Sequence, residues 1–104
     1  MKKVILVCNA GMSSSLMAKK ATEYLQKEGH DIQIDATTVA AGDKFFGSKE
    51  YELLLVSPQM RMKYDELAAK AEKAGMKVAQ IPFTAYAPIP KGIKELAELT
   101  LANL

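Results

Sequence analysis

The stretch VILVCNAGMSSSL, Val4 to Leu16, decides how the rest of this chain is read. Val4 to Val7 is apolar, rich in β-branched residues and short, as a buried strand requires. Asn9 to Gly11 breaks that pattern, and Ser13, Ser14 and Ser15 lead into a helical period. A sharp turn just after Cys8 is therefore expected, with Ser13 or Ser14 capping the helix that follows. A loop that turns into a helix start presents unpaired backbone N–H groups and the positive end of the helix dipole, which together bind an anion. Gly11 permits backbone angles that other residues avoid, and the serines add hydroxyl donors. The expected phosphate cradle is thus Asn9, Ala10, Gly11, Met12, Ser13, Ser14 and Ser15. Cys8 stands at its rim, where the same field favours the thiolate, the nucleophilic form, over the thiol. The competing reading makes Cys8 a small buried hydrophobe.

Outward from this stretch, Met17, Ala21, Tyr24 and Leu25 recur at helical spacing, and the helix they predict ends near Gly29. Asp31 to Val39 alternates polar and apolar residues, as in an edge strand. Residues 40 to 48, with Gly42 and Gly47 around Phe45 and Phe46, suit a short helical turn or an irregular connection. Leu53 to Val56 is apolar on both faces, as a central parallel strand is. Ser57 and Pro58 read as N-cap and first residue of a helix carrying Met60, Tyr64, Leu67, Ala68, Ala71 and Ala74, with Gly75 as its left-handed stop. Met76 to Ile81 reads as a strand, Pro82 to Pro90 as a loop, and Ile93, Leu96, Ala97, Thr100, Leu101 and Leu104 as a last amphipathic helix. This succession predicts an α/β fold: one four-stranded parallel sheet in the order 2-1-3-4, with helices on both faces. The switch point between strands one and three then places Cys8 and the Ser57-Pro58-Gln59 turn on one crevice, where open α/β sheets bind ligands.

The chain has 104 residues, 49% hydrophobic and 25% charged, which suits a single domain over 1–104 with its own core. A formal net charge of +2, with both signs interleaved, supplies no basic stripe, so nucleic acid is not an expected partner. No apolar run approaches the roughly 20 residues of a membrane-spanning helix. Met1 to Lys3 does not open a secretory signal, so a soluble, cytoplasmic and monomeric protein is expected. One cysteine rules out an internal disulfide, and with one histidine it supplies no Cys/His zinc site; no metal or cofactor is expected.

Thiol phosphatases also combine a cysteine with a phosphate loop and helix, but in the pattern C-x5-R the position of their arginine is Ser14 here. The arginine fork would stabilise charge on the transferring group. Such enzymes also need an acid for the leaving alkoxide, and Pro82 to Pro88 contains no Asp or Glu. The site can hold phosphate on sulfur without the parts to expel an alcohol, which describes a carrier better than a hydrolase. His30 lies at the other end of the sheet, a strand of about five residues or roughly 16 Å away. Pro58, Gln59, Arg61 and Tyr86 are the further residues that could line the site or meet a partner. Arg61 and Tyr86 serve equally as a solvated charge and a packing residue. Asp35 and Asp43 read as solvated.

The cysteine loop, Val7 to Leu16, resembles that of the enzyme IIB components of the bacterial phosphoenolpyruvate-dependent sugar phosphotransferase system, in the lactose, cellobiose and chitobiose class. Leu54 to Gln59 is similar to that family's strand-three turn, with Ser57 in place of the usual glycine, and Tyr86 matches the tyrosine before the last helix. Ser14 stands where threonine is common. The resemblance implies that Cys8 accepts a phosphoryl group from a phosphohistidine of enzyme IIA. It further implies that Cys8 passes the group to a sugar, such as cellobiose, chitobiose or lactose, held by membrane enzyme IIC. A phosphatase or arsenate-reductase relative, and a noncatalytic anion-binding domain, are the alternatives.

Overall fold

The computed structural model describes residues 1–8, 12–38, 50–87 and 89–104, with the side chains of Met12 and Ser13 left aside. Asn9, Ala10, Gly11, Asp43 and the uncertain segment 40 to 48 lie outside the described residues. Four strands, β1 (Lys2–Cys8), β2 (Ile32–Thr38), β3 (Leu53–Val56) and β4 (Lys77–Gln80), form one parallel sheet in the order β2-β1-β3-β4. This is the predicted order. Among the described residues three helices cover it: α1 (Met12–Lys27), α2 (Tyr64–Lys73) and α3 (Pro90–Asn103).

Alternation along the strands divides the core in two. Val4, Leu6 and Cys8 of β1 and Leu53 and Leu55 of β3 face Met17, Ala21 and Leu25 of α1 and Leu96 and Ala97 of α3. Ile5 and Val7, with Leu54 and Val56, face Met60 of the following turn and Leu67 and Ala71 of α2. Every residue of β3 is fully buried, which is why LLLV shows no polar face: helices exclude water from both sides.

Two helices end in the same way. Gly29 and Gly75 have φ of 90° and 77°, the left-handed region that glycine enters without a Cβ clash. His30 N donates to the Leu25 carbonyl and Gly29 N to that of Gln26; Met76 N donates to Ala71 and Gly75 N to Glu72. These paired bonds satisfy carbonyls that the helix ends leave open. At the sheet edge, Thr22 Oγ1 accepts from Ile34 N at 2.9 Å and donates to the Ile34 carbonyl at 3.3 Å. α1 thereby occupies backbone groups that an edge strand would offer to another chain.

The structure corrects three expectations. Pro58–Lys63 is a 3-10 segment, and the α-helical stripe begins only at Tyr64. Pro58 and Met60 are buried at a spacing of two, which a 3.6-residue turn does not deliver. The loop after β4 contains a 3-10 turn over Phe83–Ala85. Asp35 is not merely solvated: its carboxylate accepts from Gln33 Nε2 at 2.7 Å and from the Tyr51 hydroxyl at 2.8 Å.

Candidate functional site

β1 carries Cys8 to the carboxyl end of the sheet, at the switch between β2 on one side and β3 on the other. Cys8 pairs with Thr38 of β2. On the opposite side Val7 pairs with Val56, and Ser57 N donates to the Val7 carbonyl at 3.1 Å, extending the ladder one residue further. Ser57 is extended, with φ −64° and ψ 156°. Continuing the alternation from Leu53 and Leu55, its side chain lies on the face that Cys8 shares.

Helix α1 starts at Met12, so Ser13 and Ser14 lie inside its first turn and neither is the N-cap expected from sequence. Ser14 instead turns toward the sulfur: Cys8 Sγ donates to Ser14 Oγ at 2.9 Å, with both residues buried. A hydroxyl both donates and accepts, so the same contact serves a thiolate once its proton has gone. The sulfur is not at an open rim, since Cys8 is only 1% exposed and counts among the core residues. Ser15 is exposed on the outer side of the helix.

Pro58 and Gln59 follow directly on β3 beside Cys8; Pro58 is buried, while Gln59 and Arg61 are exposed. Gln80, at the end of β4, laces this turn. Its Nε2 donates to the carbonyls of Val56, Ser57 and Ile81 at 3.0, 3.1 and 3.1 Å. Tyr86 packs against the core cluster that contains Cys8. His30 is exposed beyond the end of α1, at the amino end of the sheet, as expected. Sequence reasoning put Ser57 at the crevice only as a helix cap and passed over Gln80 altogether. The signal was present: each is polar and interrupts or ends an apolar strand.

The electrostatics favour an anion. The N-termini of α1 and α3 open toward the carboxyl end of the sheet, and neither helix has an acidic residue in its first turn. The 3-10 segment adds Arg61 and Lys63 and no acid, while Asp65 and Glu66 begin α2 just beyond it. Among the described residues no group of three or more His, Cys, Asp or Glu could hold a metal ion.

Residues 3–98 match the family model of the phosphotransferase-system lactose/cellobiose-specific IIB subunit. The chain belongs to the lactose/cellobiose IIB family. It is 34% identical over 86 residues to the oligo-beta-mannoside-specific EIIB component of Bacillus subtilis, covering 83% of this chain and 82% of that one. It is also 24% identical over 83 residues to the lactose-specific EIICB component of Streptococcus mutans, covering 80% of this chain but 14% of that longer one. The structure superposes on the lactose-specific IIB domain of Streptococcus pneumoniae with a TM-score of 0.83 at 20% identity, over 98% and 96% of the two chains. The IIB fold therefore persists where most side chains differ. As a IIB component this chain is a phosphotransferase of the sugar phosphotransferase system, and in it the switch-point cysteine lies one hydrogen bond from the first turn of α1.

Proposed function

We propose that Cys8 is the phosphoryl carrier of this IIB subunit, receiving the group from a phosphohistidine of enzyme IIA and passing it to a sugar bound by membrane enzyme IIC. The observation that carries this reading is the buried 2.9 Å contact between Cys8 Sγ and Ser14 Oγ at the carboxyl end of the sheet. In it Cys8, the chain's single cysteine, donates to a hydroxyl in the first turn of α1, and that hydroxyl can donate back once the sulfur is a thiolate. In the first transfer the sulfur attacks phosphorus in line. The S–P bond forms as the N–P bond breaks, and the thiol proton ends on the departing imidazole nitrogen. In the second, a sugar hydroxyl attacks, the S–P bond breaks, and the hydroxyl proton returns to the thiolate. Imidazole and thiolate leave readily, so neither step needs the general acid of a phosphatase. Backbone N–H groups of residues 9 to 13 and the hydroxyls of Ser13 and Ser14 are the proposed phosphate ligands; Ser15, exposed on the outer side of the helix, is left out.

Docking is supported by the surface around the site. Met62, Phe83 and Ile89, on the segments that leave β3 and β4 and enter α3, are 97%, 68% and 54% exposed. With Arg61 and Lys63 they offer an apolar and basic face to a phosphorylated protein, and Pro58, Gln59 and Tyr86 lie on or beneath it. The EIICB relative, whose name joins a C and a B component in one chain, supports work beside a membrane IIC at the inner face of the membrane. No helix among the described residues is long and apolar enough to cross a membrane, and the carrier is proposed to act as a cytoplasmic monomer. Its sugar is proposed to be a β-linked disaccharide.

The test is intact-protein mass spectrometry after mixing with phosphoenolpyruvate, the general phosphotransfer proteins and a IIA of this class. A single phosphate is expected on the parent and none on Cys8→Ser. An unlabelled parent beside a phosphorylated IIA overturns the reading.

A further inference from the structure

Ser57 is wholly buried, yet its Oγ has no hydrogen-bond partner among the described residues. An unpaired buried hydroxyl is a standing cost that alanine or glycine would avoid. Its backbone, by contrast, is fully engaged: the N–H donates to Val7, and the carbonyl accepts from Met60 N at 3.0 Å and from Gln80 Nε2 at 3.1 Å. Three bonded neighbours thus fix the residue while leaving its one free donor on the face of Cys8, on the adjacent strand. Neighbouring strands run about 4.8 Å apart, within the reach of a group carried on sulfur.

We infer that Ser57 Oγ–H is a ligand of the phosphoryl group on Cys8, donating a hydrogen bond to one of its oxygens. The inference rests on the phosphocysteine reading above and deepens it. Two hydroxyls then divide the work: Ser14 holds the sulfur, and Ser57 holds an oxygen of the transferring group. Gln80 Oε1 is also buried without a partner, but it is an acceptor, which repels an oxyanion, and Gln80 pairs with Val56, whose side chain faces the opposite core cluster. Ser57 therefore supplies what Gln80 cannot.

The experiment compares the parent, Ser57→Ala, Ser57→Gly and Ser57→Thr for thermal stability and for the rate and extent of labelling by phosphorylated IIA. Unphosphorylated Ser57→Ala is expected to melt at the parent's temperature or above it, because a buried, unpaired hydroxyl is gone. Its labelling rate is expected to fall about 10- to 100-fold, the effect of losing one hydrogen bond to a charged group. Ser57→Gly does the same should alanine fail to fold, and Ser57→Thr keeps the hydroxyl and stays within about threefold of the parent. Variants labelled at the parental rate overturn the inference while leaving the carrier intact. A fall in both stability and labelling that threonine does not restore also overturns it, as that is the signature of packing alone. An unlabelled parent removes the carrier reading itself, and this inference with it.

Discussion

At Cys8 and Ser14 one hydrogen bond sets the cysteine apart from its apolar neighbours in the core. A cysteine in the core is usually an inert hydrophobe, and by burial alone Cys8 is one. The 2.9 Å contact with Ser14 in the first turn of α1 is what supports the proposed carrier role. Ser14→Ala is expected to slow phosphoryl transfer onto Cys8 by about tenfold or more while lowering stability by only about 1 kcal/mol, which rapid-quench labelling and thermal melts measure together. A second residue-scale expectation concerns Tyr51. Burial, and then the hydrogen bond to Asp35, push its phenol up to about 12. The folded phenol therefore holds its proton where the unfolded one loses it. Stability from this group is full below about pH 10 and falls as pH rises from 10 toward 12. Ultraviolet titration should find Tyr51 ionising late, and Asp35→Asn should bring it part of the way back. The strand that ends at Cys8 and the helix that carries the serines were legible in the sequence because both lie within thirteen residues. The Asp35 partners were not, because Tyr51 meets it across sixteen residues of chain.

Among the elements, the close approach of α3 to the segment before it is the most exposed to a small change. A Cβ on Gly92 would run into the backbone carbonyl of Ala87, so the helix and the Tyr86 segment can meet only there. Gly92→Ala is expected to cost about 1–3 kcal/mol and to move Tyr86, seen as a lowered melting temperature and altered tyrosine fluorescence. The element map itself was largely readable. Four apolar or alternating runs, spaced by helical stripes and stopped by Gly29 and Gly75, leave few topologies that a right-handed crossover allows. The failure at Pro58–Lys63 has a plain cause. Met60 and Tyr64 are four apart and look like one stripe, but Met60 is drawn under the sheet by a bond from its N–H to the Ser57 carbonyl, three residues back. The Gln80 amide that steadies the same carbonyl comes from another strand, beyond any local pattern.

For the whole molecule, the division between the two ends of the sheet matters most. The apolar side chains of Met62, Phe83 and Ile89 lie toward the end that holds Cys8. Phe83→Asp is expected to raise the KM for a phosphorylated IIA about tenfold with the melting temperature unchanged, since the ring is mostly in water. The other end gathers the chain's termini. The amino group of Met1 pairs with Asp31 at 3.3 Å, just before β2 begins, and the Leu104 carbonyl accepts from Lys77 Nζ, where β4 begins. Both attachment points therefore stand a full strand length from the sulfur. A fluorescent protein or a flexible tether joined at either one should leave phosphoryl transfer within about twofold of the untethered rate, since loops of this kind confine a domain without occupying its working face. A chain joined at either residue would therefore leave by the end of the sheet opposite Cys8 and keep the carboxyl end uncovered.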